Sequence, residues 1–261
     1  MPPSGGFFMK TKFYLSQNIF SKIFLSEIKD KTDFEMEFIP SALLAKKISN
    51  ENDAIGLIPT MDIISNKDLF ISSEIGISLN ALISNSYIHF KEEQETIDEL
   101  FLKGDVTANE VILSKILFKE FYDVDIKTTL LKTEISDFTK NILIVGDENY
   151  EKELFLSGLS FSEEIIELIN APYVNFVLAG SSEEFLKNFV KKYKEDFKTG
   201  HSTDFTTLFP TLPQTSLDFL NVNNHHLVFD FDEQDIEGIK QLLQLPFYHG
   251  MIKDMIDVKF V

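Results

Sequence analysis

The feature that most constrains this chain is a repeated local pattern. Short apolar runs end in small polar turns, and apolar residues at helical spacing follow. Residues 10–15 form an apolar and aromatic run that Ser16-Gln17-Asn18 breaks, and Ile19, Phe20, Ile23, Phe24 and Ile28 continue at helical spacing. Residues 34–39 alternate apolar and acidic side chains as a strand does, Pro40-Ser41 opens a short helix over 42–48, and 54–58 is a buried strand ending at Pro59-Thr60. Strands that alternate with helices predict an α/β protein with mainly parallel sheets and helices on both faces. In such sheets ligands sit beyond the carboxyl ends of the strands.

The same grammar continues downstream. Residues 75–90 read as one or two extended stretches, 92–102 as an acidic amphipathic helix, and 108–121 as a strong helix. Thr107 and Glu110 fit a capping box at the start of that helix, and Ser181 and Glu184 fit another ahead of a helix reaching about residue 197. Further strands are expected at 127–132, 142–145, 173–179 and 227–231, and further helices at 163–169 and 233–245. Residues 198–215 read as a Thr- and Pro-rich connection, and 248–261 as a short helix plus tail. The organisation expected is two lobes, 9–83 plus 181–261 and 84–180, facing one cleft. Residues 1–8 read as a tag or leader, with Met9 as a natural start.

Charge excludes some function classes. The 42 acidic residues outnumber the 24 basic ones, every one of them Lys, for a net charge of −18. Nucleic acid and anionic membranes both need a basic surface, so neither is an expected partner. Without Cys there is no disulfide, thiolate nucleophile or Cys-based metal site. No apolar run is long enough for a membrane helix and no secretory signal is recognisable, so a soluble, cytoplasmic protein is expected. The 26 Phe residues, in a chain without Trp, must supply most of the aromatic packing.

Candidate ligand groups follow from the strand ends. The turn Thr107, Ala108, Asn109 offers free N–H groups and the positive end of a helix dipole, suited to a carboxylate. An ordinary self-satisfied cap explains Thr107 as well. Ser84 and Ser86 have hydroxyls to donate, and surface positions of a strand explain them equally. Gly146 allows close backbone approach after a buried strand, and Asp147 suits either a turn cap or a ligand hydroxyl. His225-His226 is a metal candidate by residue type alone, with no acidic or His partner at ligand spacing. Phosphate-loop, dinucleotide and nucleophile-elbow motifs are absent, and the acidic pairs Glu92-Glu93, Glu163-Glu164 and Glu183-Glu184 read as early helical turns.

Several stretches, in order, resemble the menaquinone-biosynthesis family that includes the chorismate dehydratase of the futalosine pathway. They are Ile39-Pro40-Ser41 to Leu44 with Asn52-Asp53-Ala54-Ile55-Gly56-Leu57-Ile58-Pro59; Gly76-Ile77-Ser78 through Ile83-Ser84; and Thr107 to Leu117. Leu143-Ile144-Val145-Gly146-Asp147-Glu148 is the most specific, and Ala171-Pro172-Tyr173 to Ala179 closes the series. The resemblance implies a type II periplasmic-binding-protein-like fold with a ligand cleft between lobes. It also implies loss of water from chorismate to give 3-enolpyruvyl benzoate, with no metal or organic cofactor. The family's first strand typically ends in an Asn implicated as the base. Here Ser16 follows Leu15 and the nearest Asn is Asn18, so these two are the candidate catalytic residues. The second-lobe turn reads Val106-Thr107-Ala108-Asn109, two hydroxyls short of the family's pattern.

Three readings remain open on the sequence. The first is a lyase acting on chorismate, with Ser84, Ser86 and the Thr107 turn holding carboxylates. The second is a binding protein of the same fold for a small anion, without turnover. A naphthoate-forming synthase of the same pathway ranks third, because its Gly-Pro-rich and His-Glu segments are not recognisable.

Overall fold

The computed structural model describes residues 10–92, 96–132, 139–198 and 204–261. The leader assigned to 1–8 lies outside them.

The chain begins β1 (Thr11–Leu15), α1 (Ile19–Glu27), β2 (Phe34–Phe38), α2 (Leu44–Ser49) and β3 (Ala54–Pro59). Asn18 starts α1 by accepting the Ser21 N–H on its side-chain oxygen at 2.8 Å. A 3-10 helix (Thr60–Ser65) and the long strand β4 (Phe70–Leu79) follow. The chain then crosses into a second sheet with β5 (Ser86–His89), β6 (Glu99–Gly104), α3 (Ala108–Tyr122), β7 (Lys127–Leu130), β8 (Ile142–Val145), α4 (Glu148–Glu151), β9 (Leu159–Ser160) and α5 (Phe161–Ile169). It returns through β10 (Tyr173–Gly180) and finishes with α6 (Glu183–Phe197), α7 (Phe205–Leu208), α8 (Gln214–Asn223), β11 (Leu227–Asp230), α9 (Glu233–Tyr248) and β12 (Lys259–Phe260).

The first sheet has the order β11-β4-β10-β3-β1-β2, with β12 also on β4; the second runs β7-β6-β8-β5-β9. Parallel pairing holds in β2-β1-β3 and in β7-β6-β8, as strand–helix alternation requires. The sheets are mixed, because β10 runs antiparallel to β3 and β4, β11 to β4, and β5 to β8 and β9. Strands that carry the chain between lobes enter each sheet from the opposite end. β10 belongs to the first sheet, so the second lobe ends before Tyr173 and not at residue 180.

Phe does the aromatic packing in the first lobe. Phe24 stacks on Phe197 with ring centres 4.6 Å apart and meets Phe229 edge-on at 5.2 Å, while Phe13 packs against Phe34 and Phe189, each at 5.5 Å. Every residue of β3 is buried, covered by α2 on one face. Gly56 is required there, since a Cβ would lie 2.4 Å from the Tyr14 carbonyl oxygen on β1.

Three local expectations are corrected. The helix expected over 92–102 is a strand from Glu99, with Leu100 and Leu102 buried alternately as the period of two requires, and residues 93–95 lie outside the described ones. The α6 cap is Ser182, which accepts the Phe185 N–H, while Ser181 donates to the Glu51 carbonyl at 2.6 Å. The short helix expected after residue 248 is absent, α9 ending at Tyr248, and the tail forms β12 against β4.

Candidate functional site

Four strands that end at the same place define the site. β1 and β2 of the first lobe, and β6 and β8 of the second, all point their carboxyl ends into a cleft of about 390 Å³. Gln17 and Asn18 follow β1, Phe38, Ile39 and Pro40 end β2, Gly104 and Asp105 end β6, and Val145, Gly146, Asp147 and Glu148 end β8.

The second lobe uses the same dipeptide twice. Gly104-Asp105 and Gly146-Asp147 each begin with a glycine at φ +98°, a backbone turn that side chains other than glycine resist. Each aspartate then reaches across the cleft. Asp147 Oδ1 accepts the Ile19 N–H at 2.7 Å, at the first turn of α1, and Lys22 lies 3.6 Å from Oδ2. Asp105 accepts the Ser41 N–H at 3.0 Å and the Ser41 hydroxyl at 2.5 Å. Burial pushes the Asp147 carboxyl above the usual aspartate range, with the Ile19 N–H and Lys22 pulling the other way. Burial also raises Glu148, but hydrogen bonds from Lys103 and Lys152 outweigh it and hold the carboxyl low.

Of the residues expected from the sequence, the cleft gathers Asn18, Gly146 and Asp147, with Ser16 directly behind Asn18. Asn18 donates to the Ser16 hydroxyl oxygen at 2.6 Å, and Ser16 and Ser21 share a hydrogen bond at 3.0 Å. Ser16 is wholly buried, and among the described residues no titratable side chain is bonded to either. Asp147 leaves the α4 turn uncapped and spends its carboxylate on the other lobe instead.

The remaining candidates lie outside the cleft lining. Ser84 donates to the Ser86 carbonyl at 2.7 Å and accepts from the Ser162 N–H at 3.1 Å and hydroxyl at 2.8 Å, fixing the start of α5. Ser86 is fully buried and its hydroxyl has no hydrogen-bond partner among the described residues. Thr107 and Glu110 close the capping box, so the α3 donors there are already satisfied. Ala108 is half-buried beside it. Asn109 ties the lobes together, accepting from the Met61 N–H at 2.9 Å and donating to the Asn175 carbonyl at 2.8 Å.

His225 and His226 lie in a 3-10 turn with ring centres 3.9 Å apart and planes tilted by 42°, and the described residues hold no group of three or more His, Asp or Glu placed for a metal. Sequence reasoning missed Gln17, Phe38, Pro40, Asp105 and Glu148. The repeated Gly-Asp after two apolar runs was the available signal for Asp105. No described helix is long and apolar enough to cross a membrane.

Solved structures match over nearly the full chain. Protein AF1704 from Archaeoglobus fulgidus has a TM-score of 0.63 at 13% identity, covering 93% of this chain and 98% of that one. The zinc-bound ligand-binding component of an ABC-type import system from Staphylococcus aureus gives 0.61 at 13% identity, covering 96% and 97%. The fold is that of the two-lobed substrate-binding proteins. The periplasmic aliphatic sulphonate binding protein SsuA from Escherichia coli agrees, with 0.60 at 10% identity over 96% and 90%. No protein-family model and no curated protein sequence matches the chain.

Proposed function

We propose that this chain binds one small molecule in the cleft between its lobes and closes over it. The observation that carries the reading is the convergence of four parallel strand ends, two from each lobe, on one cleft. A cleft of about 390 Å³ suits a metabolite-sized ligand. A carboxylate ligand would take over the Ile19 and Ser41 donors now held by Asp147 and Asp105. The test is native mass spectrometry of the protein after exposure to small carboxylates, sulfonates and amino acids, alongside Gln17→Trp, which fills the cleft. One bound molecule per chain, lost in Gln17→Trp, is expected. Equal retention by both proteins would overturn the site.

The second reading is a lyase that dehydrates chorismate to 3-enolpyruvyl benzoate, with Asn18 or Ser16 assisting proton removal. It is favoured by one observation: Gly146-Asp147-Glu148, from the most specific segment of the family resemblance, lines the cleft with Asn18. Elimination needs a positioned base and exclusion of water by lobe closure. Incubation with chorismate, followed by ultraviolet spectroscopy, decides it. Product absorbance that disappears in Asn18→Ala is expected of a lyase, and a thermal shift without product leaves binding alone.

A further inference from the structure

Charge is unevenly placed around the cleft. Its charged lining residues are Asp105, Asp147 and Glu148, all acidic and all from the second lobe. Glu148 is compensated, because Lys103 Nζ donates to its two oxygens at 2.6 and 2.7 Å and Lys152 lies 2.8 Å away. Asp147 has Lys22 at 3.6 Å, and Asp105 has no lysine partner among the described residues.

The two aspartates form one side of a four-cornered arrangement. β6 and β8 are paired, and the Asp105 N–H donates to the Val145 carbonyl at 3.2 Å, so the aspartates stand on neighbouring turns. Opposite them β1 and β2 are paired, with the Ile39 N–H on the Leu15 carbonyl at 3.0 Å, and Ile19 and Ser41 follow these two strands. Asp147 takes the Ile19 N–H, and Asp105 takes both the N–H and the hydroxyl of Ser41. Two anionic acceptors on one lobe thus face neutral donors on the other, beside a cleft of about 390 Å³.

A carboxylate on the Ile19 and Ser41 donors would displace both aspartates. It would leave them without their donors and facing a third negative charge, an arrangement that like-charge repulsion opposes. A primary ammonium on the same ligand reverses this. Asp147 gives up one hydrogen bond and Asp105 two, and an ammonium carries three N–H groups to restore them. Such a ligand is neutral overall and leaves the net charge of the cleft unchanged. The rest of the first-lobe wall is largely apolar, with Phe38, Ile39 and Pro40 at the end of β2, and Phe38 is 43% exposed.

We infer that the cleft takes a zwitterion, a small α-amino acid with an apolar side chain. Its carboxylate lies on the Ile19 and Ser41 donors, its ammonium between Asp105 and Asp147, and its side chain against Phe38 and Pro40. The inference rests on the binding reading of the cleft and gives that reading a ligand class. The contacts that now join the lobes directly then pass through the ligand.

Leucine and phenylalanine each have a counterpart without the amine, 4-methylpentanoate and 3-phenylpropanoate, and one without the carboxylate, 3-methylbutylamine and 2-phenylethylamine. Isothermal titration of the six into the wild-type protein should show at least one amino acid bound about tenfold or more tighter than both its counterparts. Asp105→Asn and Asp147→Asn should narrow the gap between the amino acid and its deaminated acid, and Gln17→Trp should lose binding altogether. A deaminated acid bound as tightly as its amino acid, and lost in Gln17→Trp, would overturn the zwitterion and leave the cleft reading standing. So would binding of none of the six, or a gap unchanged in both aspartate variants. Equal affinity in the wild type and Gln17→Trp would instead remove the cleft reading, and this inference with it. If an aspartate variant does not fold, the wild-type order of affinities decides.

Discussion

Asp147 of the second lobe caps the first helix of the first lobe, accepting the Ile19 N–H at 2.7 Å. Asp105 does the same for Ser41 on the neighbouring segment. The cleft is therefore held by two carboxylates from equivalent turns of one sheet.

Removing one of these latches should loosen the lobes more than it harms either core. Asp147→Ala is expected to cost roughly 1–2 kcal/mol in urea unfolding, the size of a lost helix cap bonded to a charged group. It should also enlarge the radius of gyration by small-angle scattering. Asp147→Asn retains the acceptor and should recover most of the compactness. An unchanged radius in Asp147→Ala would show that this hydrogen bond does not hold the lobes.

The two Gly-Asp turns should respond differently to the same substitution. A Cβ on Gly104 would lie 2.0 Å from the Val145 carbonyl oxygen, inside the β6–β8 pairing. At Gly146 the nearest atom, Asp105 Cβ, is 3.9 Å away. Gly146→Ala therefore carries only the positive-φ strain of about 1–2 kcal/mol, whereas Gly104→Ala must also displace backbone. Melting temperatures of the two variants measure the difference, and equal losses would refute the packing account.

Glu51 supplies an acid-side prediction. It pairs with Lys47 at 2.8 Å, accepts from the Tyr14 hydroxyl at 2.6 Å and lies 3.1 Å from Lys12. The Lys47 hydrogen bond chiefly, then Tyr14, hold its carboxyl down to about 2. A depressed carboxyl contributes stability above its unfolded value that is lost as pH falls through the folded one, here between about 4.5 and about 2. Glu51→Gln should flatten the stability profile over that window. The same acid slope in both proteins would refute the pairing.

The strand and helix pattern of the first lobe was legible because its short apolar runs are bounded by chemically distinct breaks. The Thr107–Glu110 box was readable for the same local reason, whereas the role of Asn18 as the cap of α1 emerges only from the structure. The Glu99 strand was not, since its acidic neighbours mimic a helix surface and only pairing with β7 and β8 decides it. Placing Ser84 and Thr107 in the cleft failed differently. Whether a hydroxyl faces a ligand or its own backbone depends on register and on partners such as Ser162 and Glu110, which no spacing rule encodes.

The return of β10 into the middle of the first sheet bears on the order in which the molecule is made. Its partner β3 precedes it by more than a hundred residues, as the pairing of Val177 with Ile58 illustrates, and the whole second sheet is synthesised in between. Pairings of such long separation are slow, whereas β6, β7 and β8 lie closer together along the chain. Pulse-labelled hydrogen exchange during refolding should protect the amides of β6 and β8 before those of β3 and β10. That order of protection would make the inserted half the early-folding one, with the half that carries both ends of the described chain waiting for it.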